Sequence, residues 1–344
     1  MNRIFTVLCV VAFMVSAADA ANHSRKQHKP VKITRKTADR RARDVDLSQA
    51  NNPQTTTVVA PRSSGSAVLR AQILLDRAAF SPGEIDDGYG PNLRSAIRGF
   101  QAAHDLPATD ELGPETWALL NMDSEPVLIP YEISAEDVAG PFEEIPADIM
   151  ERAKLQALGY QSPLELLGEK FHVSPKVLRL LNKGKAFDKE GEEILVPNVE
   201  RPAEPIHKAA SILVRKSDMT VTALDAQGMV MAQFPASAGS EHDPLPIGKW
   251  KIKGVARNPV FHYNPKLFWD AEPGNSAAKI AAGPNNPVGV VWIDLSKPHY
   301  GIHGTPEPSQ VGHAQSHGCI RLTNWDAMRL AGLVSPGMTA ILTE

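Results

Sequence analysis

Two short stretches, GIHGT at residues 301–305 and SHGCIRL at residues 316–322, determine how the C-terminal part of this 344-residue chain folds. Residues 288–295 (VGVVWIDL) and 300–304 are dense in β-branched and aromatic residues, which predicts two strands. Residues 319–322 predict a further short strand. We therefore expect a sheet of short strands, joined by turns at the glycines of these stretches.

The chemistry of these stretches is centred on Cys319, which has Arg321 on the same face of its predicted strand because side chains alternate along a strand. The only other cysteine, Cys9, falls in a predicted signal peptide, so Cys319 has no partner for an internal disulfide. A nucleophilic cysteine needs a nearby base or positive charge, and His303 is the candidate base. Gly318 permits close backbone approach, so the N–H groups of Gly318 and Cys319 are candidate oxyanion donors.

Upstream of this centre the hydrophobic period is two, which predicts further strands. Many short strands separated by Gly/Pro turns indicate a β-sandwich or a partly closed barrel. Thr323 and Asp326 have capping-box spacing and predict a helix from residue 325 to about residue 331. Residues 257–287 form a long aromatic-containing loop, for which a lid over the site is the hypothesis. The predicted strands are residues 211–215, 219–224, 229–234 and 250–255.

The pattern H-G-T, followed sixteen positions after His303 by Cys319 within S-H-G-C-I-R-L, resembles the signature of L,D-transpeptidases, which cross-link bacterial peptidoglycan. The resemblance extends over residues 208–344 and includes PLPIGKW at 244–250 and GPNNPVG at 283–289. It implies a cysteine-dependent acyltransferase without a cofactor or a bound metal.

The resemblance also implies roles for individual residues. Cys319 attacks a carbonyl of a tetrapeptide stem, with His303 as the base, and the terminal D-alanine leaves. An amine of a second stem then captures the thioester. Gly304 is expected to orient the histidine, and His317 to line the site beside the oxyanion donor Gly318. Ser316 and Arg321 are the expected substrate contacts, since Arg321 can hold a carboxylate in bidentate fashion.

The N-terminal part of the chain predicts export. Residues 1–20 have Arg3, a short apolar run and a small-x-small end, which is typical of a cleaved signal peptide. Residues 21–65 hold ten Lys/Arg against three Asp/Glu and few large apolar residues, which predicts a basic disordered linker. We expect a periplasmic or cell-envelope protein with no stable membrane span after cleavage and no nucleic-acid partner.

Two modules are predicted between the linker and the C-terminal domain. Residues 66–122 show helical periodicity, with Pro91 and Pro114 at first-turn positions, and resemble a three-helix peptidoglycan-binding domain. Residues 128–199 resemble a LysM module, a βααβ unit that binds N-acetylglucosamine-containing glycans, but an insertion at residues 139–160 interrupts it. A structural spacer is the alternative for this module.

The fold class predicted from these observations is multidomain α+β. A mostly-β catalytic sandwich or barrel follows a small three-helix domain and the βααβ module. Peptidoglycan, both its stem peptides and its glycan strands, is the expected partner.

Two other classes of function stay open at this point. A non-catalytic peptidoglycan-binding envelope protein would have the same modules without the chemistry. A zinc-dependent wall peptidase is the other, because His and Cys ligands occur with H-x3-H spacing, although the glycines between them favour strand and loop over the helix that would make them converge. The candidate ligands are His299, His303, His313, His317 and Cys319. The sequence also leaves open the acceptor and whether an amine or water releases the thioester.

Overall fold

The computed structural model describes residues 46–200, 207–314, 316 and 318–344. The signal peptide predicted at residues 1–20 and the first part of the predicted linker lie outside the described residues. Within the described ranges, none of the helices is long and apolar enough to cross a membrane. The α-helices are α1 (Ser66–Arg77), α2 (Pro91–Ala103), α3 (Pro114–Leu120), α4 (Ala135–Val138), α5 (Ile149–Arg152), α6 (Pro163–Lys170), α7 (Pro175–Leu181) and α8 (Asn324–Leu333).

The strands fall into one large sheet and two small two-stranded sheets. They are β1 (Leu128–Glu132), β2 (Glu193–Pro197), β3 (Ser211–Arg215), β4 (Thr220–Leu224), β5 (Val230–Pro235), β6 (Ser237–Ala238), β7 (Gly248–Arg257), β8 (Phe261–Tyr263), β9 (Ala278–Ile280), β10 (Val291–Leu295), β11 (Gly301–His303), β12 (Ile320–Arg321) and β13 (Thr339–Thr343).

The three N-terminal helices form the predicted small domain. Pro91 and Pro114 occupy the first helical positions of α2 and α3, where the missing N–H of proline costs no hydrogen bond. The apolar stripe of α1 and α2 is buried, and Trp117 of α3 closes the core with no exposed surface. The helical prediction for this segment is therefore confirmed.

The prediction of a disordered linker is wrong for residues 46–65. Val59 is fully buried and pairs through its backbone with Leu112. The indole N–H of Trp117 donates to the carbonyl of Thr57 at 2.8 Å. The polar composition of this segment suggested a solvated chain, but its backbone supplies the partners that the buried side chains of the helical domain require.

In the second module β1 and β2 pair antiparallel, and four helices, α4 to α7, lie between them in the chain, so α4 and α5 are added to the predicted β-α-α-β order. Its buried residues, among them Leu167, Leu178 and Val196, belong to the same hydrophobic core as those of the helical domain. The two N-terminal modules are therefore one packed body, whereas binding of glycan by the second stays a prediction.

The C-terminal domain is a mostly-β, near-barrel sandwich, as predicted. Its nine-stranded sheet has the order β5-β4-β3-β13-β7-β10-β11-β12-β6, with parallel pairing at β13–β3 and β11–β12. Helix α8 packs on the sheet and starts at the predicted cap, where the Thr323 hydroxyl accepts from the backbone N–H of Asp326.

The C-terminal domain is joined to the N-terminal body by buried polar contacts. Ser81, which follows α1, donates its hydroxyl proton to a carboxylate oxygen of Asp326 on α8 at 2.9 Å. Asp76 of α1 contacts the imidazole of His172 at 2.6 Å and the guanidinium of Arg329 on α8. These contacts fix the cleft of the C-terminal domain relative to both N-terminal modules, because buried polar groups are costly to separate from their partners.

Candidate active site

His303, the last residue of β11, is buried with 4% of its surface exposed. Its Nδ1 lies 2.6 Å from the carbonyl oxygen of Gly304. A carbonyl oxygen can only accept, so Nδ1 carries the proton and Nε2 keeps its lone pair. The ring stacks on the indole of Trp292, with ring centroids 5.5 Å apart. The imidazole is thus held in the tautomer that a base acting through Nε2 requires.

Cys319 is half-buried immediately before β12. Its thiol donates to the carbonyl of His299 at a sulfur–oxygen distance of 3.7 Å. Burial raises the pKa of the Cys319 thiol above its ordinary value of 9.0, although a hydrogen bond from the backbone N–H of Gly301 and the charge of Arg321 oppose this.

The register of β11 and β12 places the candidate residues together. Ile302 pairs with Ile320, and His303 pairs with Arg321, in a parallel ladder. Side chains at paired positions of neighbouring strands share a face, so His303, Arg321 and the preceding Cys319 all face one side of the sheet. They line a cleft with a volume of about 830 Å³. The fully buried isoleucines of the pair face the core on the other side.

The resting thiol and imidazole are both neutral. Burial lowers the pKa of His303 to about 4, even though the hydrogen bond to Gly304 favours the charged ring. With the pKa of Cys319 raised, a thiolate–imidazolium pair is the disfavoured state at neutral pH. A thiol in this state would have to lose its proton during any attack on a carbonyl, and the neutral imidazole has a lone pair on Nε2 that could accept it.

We expect alkylation of Cys319 by iodoacetamide to be slow at pH 7 and to increase steadily through pH 9, because only the thiolate reacts and the raised thiol pKa keeps it scarce. The rate constant is measured by mass spectrometry across pH 5–10, with Cys319→Ala as the control for labelling elsewhere. A rate that is already maximal between pH 6 and pH 8 would show a stable thiolate and contradict this ionisation state.

Ser316 holds the turn that carries Cys319. Its buried hydroxyl donates to the carbonyl of Cys319 at 2.5 Å and accepts from the backbone N–H of Gly239 at 2.7 Å. Gly318 has φ +89°, and a Cβ there would lie 2.8 Å from the ring of Tyr300. Only glycine fits this left-handed position against an aromatic ring. Ser316 is not among the residues that line the cleft, and its expected contact with substrate stays a prediction.

Gly304 lies directly behind His303, against the side chain of Asn324 at the start of α8. A Cβ on Gly304 would be 2.2 Å from Asn324 Oδ1. That oxygen accepts from the backbone N–H of Val290 at 3.2 Å. Asn324 thus occupies a cradle formed by the backbone of two loops, one of which supplies the carbonyl that orients the imidazole.

The second module holds Asn324 from the other side. Asn324 Nδ2 donates to Glu169 Oε1 at 2.6 Å and to the carbonyl of Pro284 at 3.1 Å. One turn earlier on α6, Glu165 accepts from the side-chain amide of Asn285 at 2.7 Å. Burial raises the pKa of Glu169 to about 7, although its hydrogen bonds from Asn324 and Tyr160 oppose this. Two carboxylates of α6 therefore contact the loop and the helix start behind His303.

Glu169→Gln is expected to raise the melting temperature relative to wild type progressively between pH 5 and pH 7, and by a constant amount above that. Because its pKa is raised, Glu169 stays protonated in the folded protein above about pH 4.5, where the unfolded chain releases the proton. The contribution of Glu169 to the stability of the folded protein therefore falls as the pH rises from about 4.5 to about 7. Glutamine keeps an acceptor for Asn324 without a charge. The same change at the exposed Glu190 is the control. A difference that does not depend on pH would contradict the buried ionisation.

The structure places six of the seven predicted site residues, in two groups. Cys319, His303 and Arg321 line the cleft; Gly304, Ser316 and Gly318 support it from behind. His317 lies outside the described residues. Within the part of the chain that the structure describes, no three His, Cys, Asp or Glu side chains converge as a metal site would need.

Sequence reasoning missed several contributors to the site. Trp292 and His299 act through the stacked ring and the backbone carbonyl described above, and Asn324 and Glu169 through long-range contact. Trp292 had a usable signal, because it lies on a predicted strand with the alternation of the sheet. The contact between Glu169 and Asn324 joins residues 155 positions apart and had none.

Comparison with protein-family models gives two matches. Residues 209–342 match the L,D-transpeptidase catalytic domain, and residues 64–120 match a putative peptidoglycan binding domain. Neither match covers the segment between them, which contains the second module.

Three relatives each match less than half of this chain. The chain is 33% identical over 148 residues to the putative L,D-transpeptidase YkuD of Bacillus subtilis, covering 43% of this chain and 72% of that protein. It is 24% identical over 174 residues to the probable L,D-transpeptidase YbiS of Escherichia coli K12, covering 49% and 56%. Among solved structures, an L,D-transpeptidase from Mycobacterium smegmatis matches with 21% identity and a TM-score of 0.32, over 45% of this chain and 64% of that one.

Proposed function

Because this chain belongs to the L,D-transpeptidase family, with its catalytic domain at residues 209–342, we propose that it transfers peptidoglycan stem peptides through a thioester on Cys319. The observation that carries the proposal is the pairing of β11 with β12. It puts a neutral imidazole with its Nδ1 proton fixed and a half-buried thiol on the same side of the sheet, in one cleft. These are the parts that acyl transfer by a cysteine requires.

The first half of the reaction forms the acyl-enzyme. Nε2 of His303 accepts the thiol proton as the sulfur of Cys319 attacks the carbonyl carbon after the third residue of a tetrapeptide stem. Negative charge develops on the carbonyl oxygen, where the backbone N–H groups of Gly318 and Cys319 are the proposed donors. The imidazolium then returns its proton to the departing amine, and D-alanine leaves as the thioester forms.

The second half transfers the acyl group. An amine of a second stem attacks the thioester carbon and loses a proton to His303, which passes it to the departing sulfur. The products are a new amide and the free thiol. Arg321 is the proposed contact for a substrate carboxylate, since its guanidinium lies on the face of the sheet that carries the reacting groups. Gly304 is the proposed positioning residue for the imidazole, and His317 and Ser316 keep the roles expected from the family.

The remainder of the chain fits action on the cell wall. The match of residues 64–120 to a peptidoglycan binding domain points to the same polymer as the catalytic domain does. The family acts on the cell wall, which places the protein in the envelope. We propose the finer assignment, export by the signal peptide at residues 1–20 and residence in the periplasm, from the sequence pattern.

The test is incubation of the purified protein, and of Cys319→Ala, with disaccharide-tetrapeptide, followed by mass spectrometry. We expect wild type to form a dimer that lacks one D-alanine and Cys319→Ala to form none. Tripeptide without dimer would replace transfer by hydrolysis. No product from wild type, with both proteins sedimenting with peptidoglycan, would support the non-catalytic binding protein. Loss of activity with EDTA and indifference to iodoacetamide would support the zinc peptidase.

A further inference from the structure

The insertion at residues 139–160, which interrupts the second module, packs against the catalytic domain. Its Leu158 is fully buried in a small core with Tyr263 and Ile280 of the loop at residues 257–287. Ile149 of the insertion packs against the same core. The insertion and the loop thus form one hydrophobic unit, although they come from different modules.

Backbone contacts fix the insertion to this loop. The N–H of Leu158 donates to the carbonyl of Ala282, and the carbonyl of Leu158 accepts from the N–H of Asn285, both at 3.0 Å. The side-chain amide of Asn285 donates to the carbonyl of Gly159 at 2.8 Å. At Gly283, a Cβ would lie 2.1 Å from the carbonyl oxygen of Leu158. Because the two backbones are hydrogen-bonded and in close contact, the insertion is held firmly against the loop and does not lie loosely on the surface.

One end of the insertion reaches the active cleft. Ala147, Asp148 and Ile149 line the same cavity as Cys319 and His303. Their backbone is held by the start of α5, where the Asp148 carboxylate accepts from the N–H groups of Met150 and Glu151. The cleft is therefore built by two modules, and a catalytic domain without the insertion would lack this side.

We propose that the insertion is a substrate-binding wall, which contacts parts of a peptide remote from the amide that reacts at Cys319. The identity of the peptide as a stem peptide rests on the proposed function. A cavity of about 830 Å³ exceeds what one reacting amide fills, and the small and apolar surface of Ala147 and Ile149 suits peptide backbone and short aliphatic side chains. Binding energy from such remote contacts is what holds the reacting amide in place.

The test measures affinity apart from chemistry. In the Cys319→Ala background, disaccharide-tetrapeptide is titrated by calorimetry into the parent, into Ala147→Trp, which fills the cleft, and into Ala157→Trp. Ala157 is exposed on the same insertion and does not line the cleft, so it is the matched control. We expect Ala147→Trp to raise Kd about fivefold or more, because the indole would occupy space that the proposal assigns to the peptide and would remove those contacts, and Ala157→Trp to bind as the parent does.

Equal affinities of the two tryptophan variants would overturn the proposal, and so would a parent that does not bind the tetrapeptide. Both variants carry exposed substitutions and are checked for a melting temperature equal to that of the parent. Failure of the proposed function has a different signature. In that case the Cys319 protein forms no product, whereas the affinity difference between Ala147→Trp and Ala157→Trp is still observed.

Discussion

His303→Gln should lower kcat/KM for transpeptidation by about a thousandfold, since general acid–base catalysis by a positioned side chain contributes on the order of 10²–10⁴. Glutamine is polar and similar in length but cannot accept a proton at neutral pH. The structure gives no second base with a fixed tautomer on the face of the sheet that carries Cys319, among the residues that it describes. Rates are measured from dimer formation, with substrate affinity measured separately.

The matched control is His262→Gln, which alters an exposed histidine that lines the same cleft. We expect a loss below about tenfold from it, because a contact with substrate contributes less than the reacting base does. The pH profile of wild type provides a second check. The pKa of His303 is lowered to about 4, so the base form persists well below pH 6.5 and the acidic limb of kcat/KM should lie near pH 4. An acidic limb near pH 6.5 would contradict the buried neutral imidazole.

Gly304→Ala should destabilise the protein by about 3 kcal/mol, at the upper end of what overpacking costs, and should also lower kcat. The added Cβ would lie 2.2 Å from Asn324 Oδ1. Asn324 has little freedom to yield, because its amide is bound to Val290, Glu169 and Pro284. Any shift of residue 304 also moves the carbonyl that orients His303.

Chemical denaturation and dimer-formation kinetics measure the two effects. Gly254→Ala is the control, since a Cβ on that strand glycine meets no atom within 4 Å. Gly304→Ala should cost less stability in an Asn324→Ala background than in wild type, because Asn324→Ala removes the side chain that the new methyl group meets. If Gly304→Ala unfolds at the same denaturant concentration as Gly254→Ala, the close packing described behind the imidazole is wrong.

Local patterns were sufficient to predict most of the sheet and the start of the helix that follows Cys319. The period-two strands, the Thr323 cap and the facing of Cys319 with Arg321 all follow from rules that act within a few residues, and the structure has each of them. That His303 and Cys319 share a cleft was expected from the resemblance of their pattern to a family signature, because neither strand alone reveals its partner.

Contacts between modules could not be predicted in this way. Glu169 reads as a polar residue of a helix, and nothing in its neighbours shows that Asn324 will bury it. In the sequence, the insertion at residues 139–160 only interrupts the pattern of a module. Its apolar residues pack against side chains of the catalytic domain that lie more than a hundred positions later in the chain. The packing of residues 46–65 was missed for a related reason. This segment contacts the helical domain through its backbone, as at the carbonyl of Thr57, and backbone contacts leave no trace in composition.

A few polar contacts set the distance between the helical domain and the active cleft. They join Ser81 to Asp326, and Asp76 to His172 and Arg329. If the helical domain binds the wall polymer, the sulfur of Cys319 lies at one distance and in one orientation from the bound glycan strand. In a protein with a flexible linker between the two domains, the catalytic domain could reach stem peptides in every direction around the bound strand. This protein would instead reach only those strands that lie at the distance separating its helical domain from its cleft. The spacing between strands in the polymer would then help to determine which of them react.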